Sequence, residues 1–431
     1  MTSLMQEGVG LFGTHVVKDD IEEAVQKKFG SRAVFGPDAE FVVVGDGNGF
    51  ISRVVLVTPK WQGDAAGLPE KFILKIISMQ NTMALGDKMK ENESIVHMTP
   101  EEEEALWKHF EGAVHLLHNR EVNLYKVLET YESSADVLAP KIFFSKSFEA
   151  DTKGFIGMEA VEDVKIRHVF VNSKPHQLLP LMNALATLEA CGLKMTEEEK
   201  SSISGFDYKT IFGTMLTDEN VKRMFLMLKN NDEKRFGETA DRLAEYGLEL
   251  VHDDDIAGIN KNLGMKDVLI HGDLWSANIL WVNKGEEDEI AKVIDYQLVH
   301  FGNPAEDLVR VFVSTLSGTD RRQHWEWLVE KFYGYLEQKL DGSPVPYTLD
   351  QLKESYKRFF VFGAVIMAGI FGPVAETALQ NRDDDGHEER REVISEKVQA
   401  LLEDTVKYHL RNLEIHPERR TEKTETSSEI H

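Results

Sequence analysis

The chain has 431 residues, of which 42% are hydrophobic and 29% charged, and its 49 basic and 74 acidic side chains leave a net charge of −25. At about 150 residues per domain, this length predicts two or three domains or one two-lobed enzyme. The apolar content supports a large core and excludes a disordered chain, a collagen or a disulfide mini-scaffold. A field of this sign repels phosphate backbones and anionic lipid, so nucleic acid is not expected as a partner.

The N-terminal stretch Met1–Val17 has no basic start followed by an apolar run, so no signal peptide is expected. Strand character comes first. Phe41–Val44 is β-branched, the glycine-rich GDGNG follows, and Ile51–Val57 and Phe72–Ile77 are further apolar runs joined by turn residues. Three such runs predict an antiparallel meander. From Met98 to Tyr131 the texture turns helical: Thr99 is placed to cap, Pro100 takes the first helical position, and Glu101–Glu104 suit the positive end of the dipole. Leu106, Phe110, Val114 and Leu117 recur at helical spacing, which predicts one or two long helices.

Short strands are expected again at Lys141–Ser145 and Gly154–Met158, and beyond residue 180 helix dominates, at Leu181–Leu188, Phe206–Leu228 and Asp241–His252. A strand–loop–strand system interrupts at Val268–Ile270, Ile279–Val282 and Ala291–Ile294. The lone cysteine, Cys191, can form no internal disulfide and joins no Cys/His metal spacing, which fits a reducing, cytoplasmic setting. Long helices return at Gln323–Leu340, Leu349–Gln380 and Glu388–Leu413. The most apolar run, Phe359–Val374, falls short of the roughly 20 residues that span a bilayer and reads as a buried helix, so no membrane span is expected. The polar segment 414–431 lacks periodicity and is expected to be a disordered tail. The pattern is a small β-rich half followed by a larger helical half.

The strongest chemical signal is VLIHGDLWSANILWV, Val268–Val282, where His271, Asp273 and Asn278 lie between two strands. His-x-Asp-x4-Asn is the spacing of the protein-kinase catalytic loop, in which the aspartate takes the acceptor hydroxyl's proton and the asparagine holds magnesium. Asp295, just past a buried strand, suits a second oxygen ligand of the kind Mg²⁺ prefers when phosphates complete its shell. Upstream, Gly45, Gly47 and Gly49 alternate with Asp46 and Asn48 between two strands, which serves either a phosphate cradle or an ordinary hairpin turn. Lys75 interrupts the apolar FILKI and is either an edge-strand charge or a phosphate-binding lysine held by a carboxylate, for which Glu121 is the candidate. Taken alone, Glu121 reads as a solvated helix charge. The order of all five features along the chain is that of a phosphotransferase.

The stretches IHGDLWSANILW, VIDYQ and FGNPAEDLVRVF, with GDGNGFISRVVLV upstream, resemble the CHK kinase-like (ecdysteroid-kinase-like) family within the aminoglycoside phosphotransferase and choline kinase superfamily, over residues 35–412. The resemblance implies an α+β, bilobal protein-kinase-like fold, with a small antiparallel-β N-lobe over 1–158 and a mainly helical C-lobe over 159–413. It implies ATP and Mg²⁺ as cofactors, Asp273 as catalytic base, and Asn278 and Asp295 as metal ligands. Lys75 then binds phosphate, Glu121 orients it, and adenine rests on the backbone of Met158, Glu159 and Ala160. Asp307 and Arg310 match the family's DLxR helix start and are read as structural.

Two departures from protein kinases stand out. Asp295 is followed by Tyr296-Gln297 instead of Phe-Gly, and eleven residues, Tyr296–Glu306, separate Asp295 from Asp307 with no Ala-Pro-Glu. This leaves little room to seat a peptide and favours a small acceptor. Gln297 stands where choline kinase relatives carry an acid, which weakens the case for a cationic acceptor.

Other features read as structural. Asn381–Glu392 nearly matches an EF-hand loop but has no partner loop and reads as an acidic connection. His115 and His118 lack a matching third ligand and read as half-exposed helix residues. Asp253–Asp255 reads as the end of a solvated helix. Trp325, Trp327 and Phe371 line either an acceptor pocket or the core. The expected activity is ATP-dependent phosphorylation of a hydroxyl on a small organic molecule, steroid-like, glycosidic or amino-alcohol. The competing reading is a catalytically silent nucleotide- or metabolite-binding protein acting through a partner. Against it, Lys75, Asp273, Asn278 and Asp295 all retain competent chemistry.

Overall fold

The computed structural model describes residues 3–44, 51–83, 99–149, 151–205, 213, 216–380 and 385–420. The chain divides into two compact units: residues up to Thr130 with Ala139–Asp163, and Tyr131–Leu138 with the chain from Val164 onward.

The first unit contains helix α1 (Lys18–Phe29), strands β1 (Glu40–Val43), β2 (Ser52–Thr58) and β3 (Phe72–Ile77), helix α2 (Pro100–Leu128), and strands β4 (Ile142–Lys146) and β5 (Phe155–Glu159). The strands form one antiparallel sheet in the order β1-β2-β3-β5-β4, whose first three members are the expected meander. Val55, Val57, Phe72, Leu74 and Ile76 pack with Ile21 and Val25 of α1 on one face. Because side chains alternate across a strand, Lys75 must lie on the opposite face. Its strand is the central one of the sheet, which excludes the edge-strand reading.

Helix α2 is a single helix of 29 residues. Thr99 accepts from the Glu102 N–H at 3.2 Å while the Glu102 carboxylate accepts from the Thr99 N–H at 2.8 Å, a reciprocal cap that fixes where the helix begins. His118 of α2 is buried, not half-exposed: its Nε2 bonds the Lys146 carbonyl at 2.8 Å and its ring meets Phe148 edge-on. His115 stacks on the same phenyl ring.

The second unit carries β6 (Val164–Ile166), α3 (Leu179–Lys194), α4 (Glu197–Ile203), α5 (Asp218–Asn231), α6 (Glu233–Tyr246), α7 (Ile259–Leu263), β7 (Val268–Ile270), β8 (Ile279–Asn283), β9 (Asp288–Val293) and β10 (His300–Gly302). Helices α8 (Ala305–Thr315), α9 (Gly318–Leu340), α10 (Leu349–Gly369), α11 (Ala375–Gln380) and α12 (His387–Ile415) complete it. β6, β8 and β9 form a three-stranded antiparallel sheet, and β7 pairs with β10. Helix α6 begins eight residues before the expected Asp241, because Asp232 caps it by accepting from the Arg235 N–H. Asp253–Asp255 forms its own 3₁₀ turn, and Asp255 is buried against Arg419 instead of solvated.

The apolar stretch Leu349–Gln380 is long and apolar enough to cross a membrane, and 71% of its most apolar window is buried inside the fold. A π-helical turn at Ile370–Val374 breaks it, where Gly372 leaves helical geometry and Pro373 has no N–H to donate. Trp325 stacks on Tyr356 at 4.6 Å and is buried, as is Phe371, so both belong to the core; Trp327 is half-buried. In the EF-hand-like stretch, residues 381–384 lie outside the described residues, and from His387 onward it is the first turns of α12.

Candidate active site

In the first unit, Lys75 and Glu121 meet across the sheet face opposite α1. Lys75 Nζ lies 2.7 Å from Glu121 Oε2, and the two side chains are 7% and 1% exposed. Tyr125, one helical turn on from Glu121, donates its hydroxyl to Oε1 at 3.2 Å, so both carboxylate oxygens are held. A buried pair with its remaining lone pair satisfied is the arrangement that tolerates desolvation. The pairing excludes the solvated readings of both residues.

Met158 and Glu159 end β5, in register with Ile73 and Phe72 of β3. The Glu159 N–H donates to the Lys141 carbonyl at 2.9 Å, and its carboxylate accepts from the Lys141 N–H at 2.7 Å. Ala160 follows the strand directly. The segment Gly45, Gly47, Asn48 and Gly49 lies outside the described residues.

In the second unit, the three residues of β7 are fully buried and deliver the chain into His271-Gly272-Asp273. Two backbone N–H groups here, of His271 and Gly272, donate to the two carboxylate oxygens of Asp307 at 2.7 and 2.9 Å. Arg310, one turn further along α8, donates to the Gly272 carbonyl and lies 3.3 Å from Asp273 Oδ1. The i, i+3 spacing of Asp307 and Arg310 puts both on one helix face, so a single helix end grips the loop by its donors, its carbonyl and its carboxylate. Gly272 has φ +80°, and a Cβ there would collide with the Leu298 carbonyl oxygen, so only glycine fits.

Each remaining loop residue has a defined task. His271 Nε2 lies 3.0 Å from the Ile294 carbonyl and its Nδ1 accepts from the Asp273 N–H at 3.2 Å, which requires the neutral imidazole protonated at Nε2. Asn278 donates its amide N–H to the Asp273 carbonyl at 2.8 Å, which leaves its side-chain carbonyl oxygen as the atom that could take a ligand. The β8–β9 ladder continues with the Ile294 N–H donating to the Asn278 carbonyl at 2.9 Å, which sets Asp295 one residue beyond the asparagine's neighbour. Asp295 itself has φ +69°, a left-handed backbone that aspartate tolerates better than most residues and that clusters at functional sites.

The electrostatics distinguish half-buried Asp273 from buried Asp307. Burial pushes the Asp273 carboxyl up to about 7, with Arg310 opposing the rise and the charges of Asp295 and Asp307 adding to it. Burial also lifts Asp307, to about 6, against the two N–H groups it accepts from. Asp273 keeps 23% of its side-chain surface exposed whereas Asp307 keeps 2%, so only the former is reachable by a substrate. A reachable carboxyl balanced near neutrality is matched to taking a proton from an alcohol.

Among the described residues no group of three or more His, Cys, Asp or Glu side chains is set to hold a metal ion. Asn278 and Asp295 carry oxygen donors of the kind a hard cation takes when phosphate and water complete its shell. Asp307 and Arg310, expected to be structural, both hold the loop. Arg310 touches the carboxylate itself, and the Asp-x-x-Arg spacing at the start of a helix was the available signal.

The model of the DUF1679 family, described as "Uncharacterized oxidoreductase dhs-27", matches residues 4–413. The Caenorhabditis elegans protein of that description is 23% identical over 328 residues, 74% of this chain and 38% of that protein. An uncharacterised kinase-like protein from the same nematode is 30% identical over 193 residues, 43% of this chain and 47% of that protein. The matches thus span about two fifths to one half of those relatives' length. Among solved structures, a microcompartment-associated aminopropanol kinase is similar with a TM-score of 0.44 and 14% identity, over 90% of this chain and 98% of that one. A Plasmodium vivax ethanolamine kinase is similar with a TM-score of 0.41 and 14% identity, over 84% and 82%.

Proposed function

The chain belongs to the DUF1679 family, which is kinase-like, and from that premise we propose an ATP-dependent phosphotransferase acting on a hydroxyl of a small organic molecule, steroid-like, glycosidic or amino-alcohol in kind. The observation that carries this reading is the Asp273 carboxylate, partly exposed just past a buried strand and gripped by Arg310.

On this reading Lys75, oriented by Glu121, binds the phosphates together with the backbone of Gly45–Gly49, and adenine rests on the backbone of Met158–Ala160. Asn278 and Asp295 would hold Mg²⁺, which when bound neutralises charge on the phosphates. Asp273 orients the acceptor hydroxyl and takes its proton as the oxygen–phosphorus bond forms and the bond to the departing ADP breaks. A small acceptor is favoured over a peptide because a 3₁₀ turn, strand β10 and the start of α8 take up the chain between Asp295 and Asp307.

The test is transfer of the terminal phosphate of labelled Mg-ATP into a filtered small-metabolite extract, with Asp273→Asn in parallel. Label entering a small compound with the native enzyme alone supports the reading. Saturable Mg-ATP binding without transfer into any extract leaves the silent nucleotide-binding protein in its place.

A further inference from the structure

Helix α8 holds the start of the catalytic loop through Asp307 and Arg310, and a third residue on the same face reaches the loop's far end. Ser314 follows Arg310 by four positions and Asp307 by seven, so the three side chains line one side of the helix. At 1.5 Å per residue the grip extends about 10 Å along the axis. Ser314 Oγ accepts from the Ser276 N–H at 3.0 Å, and both residues are buried.

This bond meets a need of the local backbone. Ser276–Asn278 is a single 3₁₀ turn, closed by the Asn278 N–H donating to the Trp275 carbonyl at 3.0 Å. The first N–H groups of a helical turn have no partner within it, and Trp275 at the N-cap supplies no capping side chain. Ser314 provides the acceptor from 38 positions away. Its own hydrogen goes to the Arg310 carbonyl at 2.8 Å, so a lone pair faces Ser276. The end of α8 is itself fixed. Lys397 Nζ donates to the Ser314 carbonyl at 2.7 Å, and the Ser173 N–H donates to the Thr315 carbonyl at 2.8 Å.

We propose that Ser314 is a positioning residue, whose hydroxyl docks the turn carrying Asn278 and so presets the side-chain oxygen that would meet Mg²⁺. The inference rests on the phosphotransferase reading above. Asn278 itself is tied to the Asp273 carbonyl through its side chain and to the Ile294 N–H through its backbone. Ser314 ties the entrance of the turn to α8, the helix that already holds Gly272 and Asp273. One rigid helix thereby sets the spacing between the carboxylate that takes the proton and the amide that holds the ion. Without the hydroxyl the turn must be ordered as the ion binds, and that ordering is subtracted from its affinity.

The experiment titrates the full chain with Mn²⁺ in saturating ADP and follows the ion by EPR, since Mn²⁺ takes the same oxygen ligands as Mg²⁺. Native protein should bind Mn²⁺ saturably beside ADP. Ser314→Ala should weaken Mn²⁺ about three- to tenfold, the range for one lost hydrogen bond, while ADP affinity in EDTA stays unchanged. Ser314→Cys keeps the volume but offers a poor acceptor and should weaken Mn²⁺ in the same way, so the result does not depend on how the alanine variant packs. Val309→Ala is the packing control. Val309 is buried on α8 against Gly363 of α10, so its truncation should lower the urea midpoint without moving Mn²⁺ affinity. Unchanged Mn²⁺ affinity in both Ser314 variants, or an equal loss in Val309→Ala, overturns the positioning role alone. Native protein that binds ADP but no Mn²⁺ overturns the phosphotransferase reading, and this inference with it.

Discussion

The pair Lys75–Glu121 and the loop around Asp273 both use opposite charges inside the protein, but they expose them very differently. Lys75 and Glu121 are sealed between a sheet and a helix, with 7% and 1% of their side chains exposed, and their charges neutralise each other. Asp273 has a guanidinium 3.3 Å away and still presents 23% of its surface. The first arrangement is coupled to the packing of its unit, so disturbing it costs folding. The second is held mostly through backbone groups, with the His271 and Gly272 amides on Asp307 and the Gly272 carbonyl on Arg310, so its carboxylate can be altered with most of the support kept. The contrast predicts a separation of stability from turnover.

The largest effect should come from Asp273→Asn. Loss of the proton acceptor lowers turnover by about 10²–10⁴-fold, while nucleotide affinity and unfolding free energy stay nearly unchanged. Single-turnover kinetics beside urea denaturation check both halves. A variant that unfolds early would mean that the loop, like the sealed pair, is part of the packing.

Glu121→Ala should do the reverse and destabilise the first unit by about 3–5 kcal/mol, because it leaves the Lys75 ammonium buried without a counter-charge. The double variant Lys75→Met, Glu121→Leu should recover most of that loss. Equal instability of single and double variants would show that apolar packing, not the charge pair, sets the cost.

Asp307→Asn tests how firmly the loop is supported. One amide N–H must then face a backbone N–H that the carboxylate accepted, at a cost of about 1–3 kcal/mol. Turnover should fall more than for any surface substitution, since one of the His271 and Gly272 amides loses its acceptor. Turnover unchanged in a destabilised variant would confine Asp307 to folding.

Much of this architecture can be read along the chain. The apolar run Phe72–Ile77 and the cap at Thr99 specify a strand and a helix start through local geometry alone, and the His-x-Asp-x4-Asn spacing survives because a loop pinned between strands has few alternatives. The rest depends on contacts between distant residues. Lys75 and Glu121 are 46 positions apart, and periodicity reports which helix face is apolar without saying which charge is enclosed. Helix α6 begins early because Asp232 caps it, a signal outweighed by the charged stretch Glu233–Arg235. Gly372-Pro373 marks the π turn locally, whereas the burial of Asp255 by Arg419 arises from tertiary packing that no local pattern encodes.

The smallest effect concerns pH and again separates sealed from open. Burial lowers the pKa of His118 from its ordinary 6.5 to about 4, outweighing its bond to the Lys146 carbonyl. The folded state therefore stays unprotonated while the unfolded chain gains a proton below 6.5. Stability from this residue is complete above that pH and is lost as pH falls toward 4. At pH 5.5 the loss amounts to about 1 kcal/mol. His118→Leu offsets stability at every pH by leaving the Lys146 carbonyl unbonded, yet it should remove this slope. Denaturation of native protein and variant at pH 7 and pH 5.5 gives the difference directly, and parallel losses in the two would show that water reaches the ring and that the first unit is less tightly sealed around α2 than its packing indicates.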